Sequence, residues 1–174
     1  MKGQLIAIIF VSLILNSCNS QNQNTMKIIN GEGNLEEIKN PELKILSKFY
    51  KAFNEGDMPL MKQVWLNSNE ASMNNPLGGI MRSWKEIESV YNKIFNGDAK
   101  VYVEFYDFTI HKTDNMFFAT GRERGYFKTD SIEIPLKIRT SRVFIKTDGE
   151  WKQIQHHGSI DDVELLKSYQ ESVR

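Results

Sequence analysis

Three observations in the chain of 174 residues predict an α+β fold with an antiparallel sheet. Helix-period apolar patterns fill the first half of the folded region and return only at its end. Strand-like segments then follow one another with no helix between them. Short turn sequences join those strands, as hairpins require. The predicted order is three helices, about four long strands and a short closing helix.

Residues 1–17 read as a signal peptide. Lys2 supplies the positive start, and Leu5 to Leu15 is an apolar run too short to span a bilayer but long enough for a signal core. The run ends in Leu15-Asn16-Ser17-Cys18, and Cys18 is the only cysteine. This resembles a bacterial lipoprotein box. The resemblance implies cleavage before Cys18, acylation of its thiol, and a lipid anchor to a bacterial membrane, with the protein exported to its periplasmic or surface side. An ordinary secretory signal followed by a stray cysteine is the plainer alternative. Residues 18–40 read as a flexible tether: Asn19 to Asn24 is polar and low in complexity, while Met26 to Asn40 is ambiguous, with Gly31 and Gly33 breaking any helix there.

The folded domain is expected over 41–174. Pro41 opens the first helix, whose apolar face is Leu43, Leu46, Phe49, Tyr50 and Phe53, and Gly56 ends it. Asp57 caps a short second helix, Met58 to Trp65, with Pro59 in its first turn. Asn67 to Gly79 is polar and turn-rich. Ser83 with Glu86 forms a capping box for the third helix, whose face is Trp84, Ile87, Tyr91, Ile94 and Phe95. Val101 to His111 and Asn115 to Lys128 are the first two strands. Ile132 to Lys146 is long enough to predict a bulge or bend. Asp148-Gly149 turns the chain into the fourth strand, Trp151 to Ser159, and Asp162 to Val173 closes the domain as a helix.

Composition excludes some functions. Lys plus Arg and Asp plus Glu number 22 each, so the formal net charge is zero. Nucleic acid is therefore not the expected partner, since phosphate neutralisation needs a basic surface. No cysteine follows Cys18, so the domain holds no disulfide, and no Cys/His cluster has zinc-ligand spacing. No motif implies a cofactor. Several strands are apolar on both alternations, for example Val101, Val103 and Phe105 against Tyr102, Tyr106 and Phe108. A sheet with two apolar faces needs cover on both, and a homodimer through the second face is the simplest source.

Four stretches resemble the NTF2-like superfamily, in particular its SnoaL-like branch. They are Phe49-Tyr50-Lys51-Ala52-Phe53-Asn54-Glu55-Gly56-Asp57 in the first helix, Asn75-Pro76-Leu77-Gly78 leading to Trp84, the hairpin Phe144 to Trp151, and Trp151-Lys152-Gln153-Ile154-Gln155-His156-His157-Gly158-Ser159. The resemblance covers Pro41 to Gln170. It implies a curved sheet wrapped by helices into a cone with a cavity at its wide end. The superfamily includes isomerases, dehydratases, cyclases, epoxide hydrolases and non-catalytic assembly modules, so fold alone does not assign an activity. The Tyr/Asp set of its ketosteroid isomerases and the Asp-Arg-Asp set of its epoxide hydrolases do not map onto this chain.

His156 and His157 are adjacent on a strand and point to opposite faces. Trp151, Gln153, Gln155 and His157 share one alternation, and the large aromatic predicts that this alternation faces inward. His157 is then the cavity histidine and candidate acid/base, with Gln155 and Trp151 beside it. A buried neutral histidine with a purely structural role is the alternative. Arg122 and Arg124 share an alternation with Tyr126 and could hold a carboxylate or phosphate; a solvated outer face is the equal alternative. Arg139 and Arg142 lie on opposite alternations, so one at most joins them. Glu104 and Asp107 do not pair unless a bulge intervenes. The expected function is a membrane-anchored, exported domain that binds a small molecule in its cavity. The alternatives are a dimeric assembly module of the cell envelope, or an isomerase-, cyclase- or dehydratase-like enzyme that uses His157.

Overall fold

The computed structural model describes residues 28–173. Four helices and six strands follow in the order α1 (Pro41–Glu55), α2 (Met58–Val64), β1 (Ser72–Asn74), β2 (Ile80–Arg82), α3 (Trp84–Phe95), β3 (Lys100–Lys112), β4 (Met116–Lys128), β5 (Glu133–Thr147), β6 (Glu150–Ser159) and α4 (Val163–Ser172). The helix ends follow from local chemistry. Asn40 Oδ1 accepts from Leu43 N at 2.8 Å, and Gly56 closes α1 in the left-handed region. Asp57 Oδ1 accepts from Leu60 N, and Ser83 Oγ from Glu86 N. The returning bond of this second cap runs from Arg82 N to Glu86 Oε2, one residue earlier than a standard capping box places it.

The sheet order is β2-β1-β6-β5-β4-β3. All neighbours are antiparallel except β1 and β6, which run parallel. Strands β1 and β2 lie in the segment 67–79 and just after it, where the sequence predicts only turns. Each is three residues long, too short for a period-2 pattern to register. Their pairing is set instead by β6, against which Met73 lies opposite His156.

Helices α1, α2 and α3 pack on the inner face of the sheet. Phe49 and Tyr50 of α1, Met61 and Val64 of α2, and Ile87 of α3 are buried against Phe105, Phe117 and Phe144 of the strands. Burial of each such side chain contributes roughly 1.5–3 kcal/mol. Two bulges curve the sheet. In β3 the register shifts between Tyr106 and Thr109, and Asp107 takes φ +46°. The extra residue lets Phe105 and Phe108 both point inward, stacked at 4.7 Å over Gly121. A Cβ on Gly121 would lie 2.6 Å from Phe108 Cβ, so only glycine fits beneath the pair. The second bulge is in β6 and not in the long β5: Val143 pairs with Gln155 but Phe144 with Gln153, leaving Ile154 extra.

Of the tether expected over 18–40, residues 28–40 are described; Ile29 and Gly31 are buried and most of the others are exposed. Ile29 exchanges two 2.8 Å backbone hydrogen bonds with Phe105 of β3, and Asn54 Nδ2 donates to Asn30 O. Asn34 caps a 3-10 turn at Leu35–Glu37. These contacts join residues 29 and 30 to the domain expected over 41–174. The signal segment and Cys18 lie outside the described residues. No described helix is long and apolar enough to cross a membrane.

Candidate functional site

A cavity of about 580 Å³ opens between the concave sheet face and the helices. Its walls are apolar, with Phe53 of α1, Val90 and Ile94 of α3, and Phe127, Leu136 and Ile138 of the strands among them. The end of α4 and the Pro76-Leu77 loop border the mouth. Tyr169 packs on Phe127 at 5.2 Å, and Gln170 Nε2 donates to Leu77 O at 2.8 Å, which ties α4 to that loop.

The polar groups at its floor are Arg142, Glu123, His156 and Tyr91. Arg142 is 1% exposed and Glu123 4%. Arg142 Nη2 donates to Glu123 Oε1 at 2.7 Å, Nη1 to Gln153 Oε1 at 3.2 Å, and Nε to Tyr50 Oη at 3.2 Å. Tyr50 Oη in turn donates to Glu123 Oε1 at 2.6 Å. The guanidinium carbon lies 3.6 Å from the Phe49 ring centroid. A charge this deeply buried persists only when paired and hydrogen-bonded, and this network supplies both. Burial holds the Tyr50 and Tyr91 hydroxyls above their ordinary range, so both are neutral.

His156 Nε2 lies 2.9 Å from Thr140 Oγ1. Burial, then the Arg142 charge, then His157 hold its imidazole well below the usual histidine range. It is therefore a neutral ring near pH 7, able to accept a proton but not poised to donate one. Its Nδ1 is buried without a protein partner, and Tyr91 Oη is buried beside Trp65 and Arg142, close enough for both to act on its hydroxyl though without hydrogen-bond geometry. The other buried polar atoms without partners belong to Trp65, Trp84 and Gln153, which do not line the cavity. Among the described residues no three His, Cys, Asp or Glu side chains converge to hold a metal ion.

The residues expected to form the site are mostly elsewhere. The bulge at Ile154 reverses the alternation of β6: Gln153 points inward as expected, but beyond it the inward residue is His156. His157 is exposed on the outer face, in a row with Thr109, Thr120, Ser141 and Asn74. Its Nδ1 lies 3.5 Å from Asn74 Nδ2. Gln155 shares that outer face. Trp151 faces inward but packs edge-on to Phe117 at 4.9 Å, away from the cavity. Arg122 and Arg124 lie on the outer face, paired with Asp107 and Glu104, because the β3 bulge brings both acids to one side. Tyr126 stacks on Tyr102 at 5.6 Å on that same face. Sequence reasoning missed Glu123 and Arg142 as a pair. The signal was present: Glu123 alternates with Phe117, Ala119 and Phe127, and Arg142 with Thr140 and Phe144, so both sit on apolar alternations.

A family model described as a SnoaL-like domain matches residues 43–162. Solved structures share the fold. A candidate dehydratase of the NTF2-like family from Streptomyces avermitilis has a TM-score of 0.59 at 21% identity, covering 66% of this chain and 89% of its own. The CaMKII hub of S. rosetta has a TM-score of 0.59 at 15% identity, covering 68% and 93%. A candidate calcium/calmodulin-dependent protein kinase type II association domain from Thiobacillus denitrificans has a TM-score of 0.56 at 17% identity, covering 70% and 95%. No curated protein matches the chain.

Proposed function

The chain belongs to the SnoaL-like domain family, and from that premise we propose that it binds a small, mostly apolar molecule in the cavity between its helices and sheet. One observation carries this reading. A cavity of about 580 Å³ is walled by apolar side chains, with the Glu123–Arg142 pair among its few polar lining residues. A concave apolar pocket with a few placed polar groups is the usual form of a small-molecule site. If the site is catalytic, the base is His156 or Glu123, because His157 faces away from the cavity.

Native mass spectrometry of the purified protein tests the reading. A co-purifying small molecule is expected on the wild type and lost from Val90→Trp, which fills the cavity. Equal retention by both proteins would place the ligand elsewhere and defeat the proposal.

The outer sheet face favours a second reading, a homodimer assembled through it. Phe118 and Met116 are exposed at one end of β4, and Tyr102 and Tyr126 stack at the other end of the same face. Two of the similar folds are named as a hub and an association domain. Size-exclusion chromatography with light scattering decides it, since a strict monomer at micromolar concentration removes the dimer.

We also propose that the protein is exported and anchored through acylated Cys18, which the pattern of residues 1–18 supports. Cys18→Ser is expected to release the protein from the membrane fraction or to leave an uncleaved precursor. A cleaved mutant still wholly in membranes would refute the anchor.

A further inference from the structure

A lone arginine at the bottom of an apolar cavity would select an anion. Here it does not stand alone. Three of the five Arg142 N–H directions are taken by Glu123, Gln153 and Tyr50, and its charge is cancelled by Glu123 at 2.7 Å. Glu123 Oε1 is already used twice, by Arg142 and Tyr50. No hydrogen bond from the described residues reaches Glu123 Oε2, and Glu123 lines the cavity. The other two polar side chains of the floor, Tyr91 and His156, are uncharged near pH 7. Lys93 and Asp98 near the mouth carry opposite signs, so neither sign of charge is drawn in from there.

We infer that Glu123 sets the charge class of the ligand: the site takes an apolar molecule with an uncharged hydroxyl head group and rejects the matching carboxylate. The inference rests on the reading of the cavity as a ligand site. Its physics is desolvation and like-charge repulsion. A ligand carboxylate at the floor loses its water, meets the carboxylate of Glu123, and finds the one cation already paired. A hydroxyl meets no such penalty. It donates to the carboxylate oxygen of Glu123 that no protein group uses. Glu123 is thus a specificity-determining residue, and Arg142 is the group it masks.

Titration calorimetry of the purified protein near pH 7.5 with 1-decanol, 2-decanone and decanoate tests this, since the three probes share an alkyl chain and differ in head-group charge. Decanol is expected to bind about tenfold tighter than decanoate or better and tighter than decanone, which has no proton to donate to Glu123, and Val90→Trp is expected to abolish binding. Glu123→Gln unmasks Arg142, so decanoate should gain affinity and raise the melting temperature of that variant more than decanol does. If Glu123→Gln does not fold, the wild-type ratio decides alone. Decanoate binding the wild type as tightly as decanol, and lost in Val90→Trp, would overturn the charge assignment while leaving the cavity as a ligand site. No binding by any probe would overturn both.

Discussion

Cutting the Arg142–Glu123 pair should show how much of the fold rests on it. Arg142→Met removes the guanidinium and keeps an apolar stem over Phe49. Glu123 is then a 4% exposed carboxylate whose remaining partner is Tyr50. Breaking a buried pair by removing one partner costs about 3–5 kcal/mol. For a domain of this size each kcal/mol lowers the melting temperature by about 3–4 °C, so a drop of about 10–20 °C is expected. Glu123→Gln should cost a comparable amount, because it strands Arg142. In the double variant no buried charge is left unpaired, and the amide oxygen introduced by Glu123→Gln still accepts from Tyr50. The double variant should therefore be more stable than the sum of the singles by about 2–3 kcal/mol. Urea unfolding followed by the fluorescence of the three tryptophans measures all four proteins. Additivity within about 0.5 kcal/mol would show that the pair is not coupled and refute the reasoning.

Three more outcomes follow from the packing. His156 has a folded pKa below its ordinary value of about 6.5, so the unfolded chain takes up a proton that the folded one refuses. Stability is expected to fall as pH drops through about 6.5, by up to about 1.4 kcal/mol per pH unit. His156→Gln should flatten that slope between pH 7.5 and 5.5 in urea titrations, and an unchanged slope would contradict the burial of a neutral ring. Gly31 has φ +82° and an added Cβ would meet Lys51 N at 2.1 Å, so Gly31→Ala should detach the strap that Ile29 pins to β3. Limited proteolysis should then cut between residues 28 and 40 with the rest of the domain intact, and wild-type resistance would be evidence against it. Phe118→Glu places a charge on the outer face and should shift a dimer to monomer in light scattering without lowering the melting temperature of the monomer.

Most of the fold was legible because its elements are long and strongly periodic. The four long strands and four helices lie within a few residues of their expected bounds, since Asn40, Asp57, Ser83 and Asp162 mark helix starts chemically. What escaped was short or non-local. Strands β1 and β2 gain their identity from pairing across the chain with β6, and three residues carry no period. Residues 28–40 read as a tether because Gly31 and Gly33 exclude a helix. Gly31 instead serves a close backbone approach to α1, which composition does not distinguish from flexibility.

The site was less legible, for one reason that acts twice. A strand's inward set is fixed by parity, and a single extra residue reverses it from that point on. At Ile154 the reversal exchanges His157 for His156 in the cavity. At Asp107 it moves an acid to the outer face, where it joins Glu104 in pairing Arg122 and Arg124. Parity held along β4 and β5, which run without interruption, and there the sequence did carry the answer. Glu123 and Arg142 each interrupt a row of inward apolar residues. A polar residue in such a row is buried, and a buried charge needs an opposite one within reach. The turn at residues 129–132, where Thr129 N donates to Ile132 O, puts β4 beside β5, so the two interruptions lie on neighbouring strands, four register positions apart and within an arginine's reach. The pair that charges and then neutralises the cavity floor is thus a consequence of hairpin connectivity, while the histidine beside it depends on a bulge.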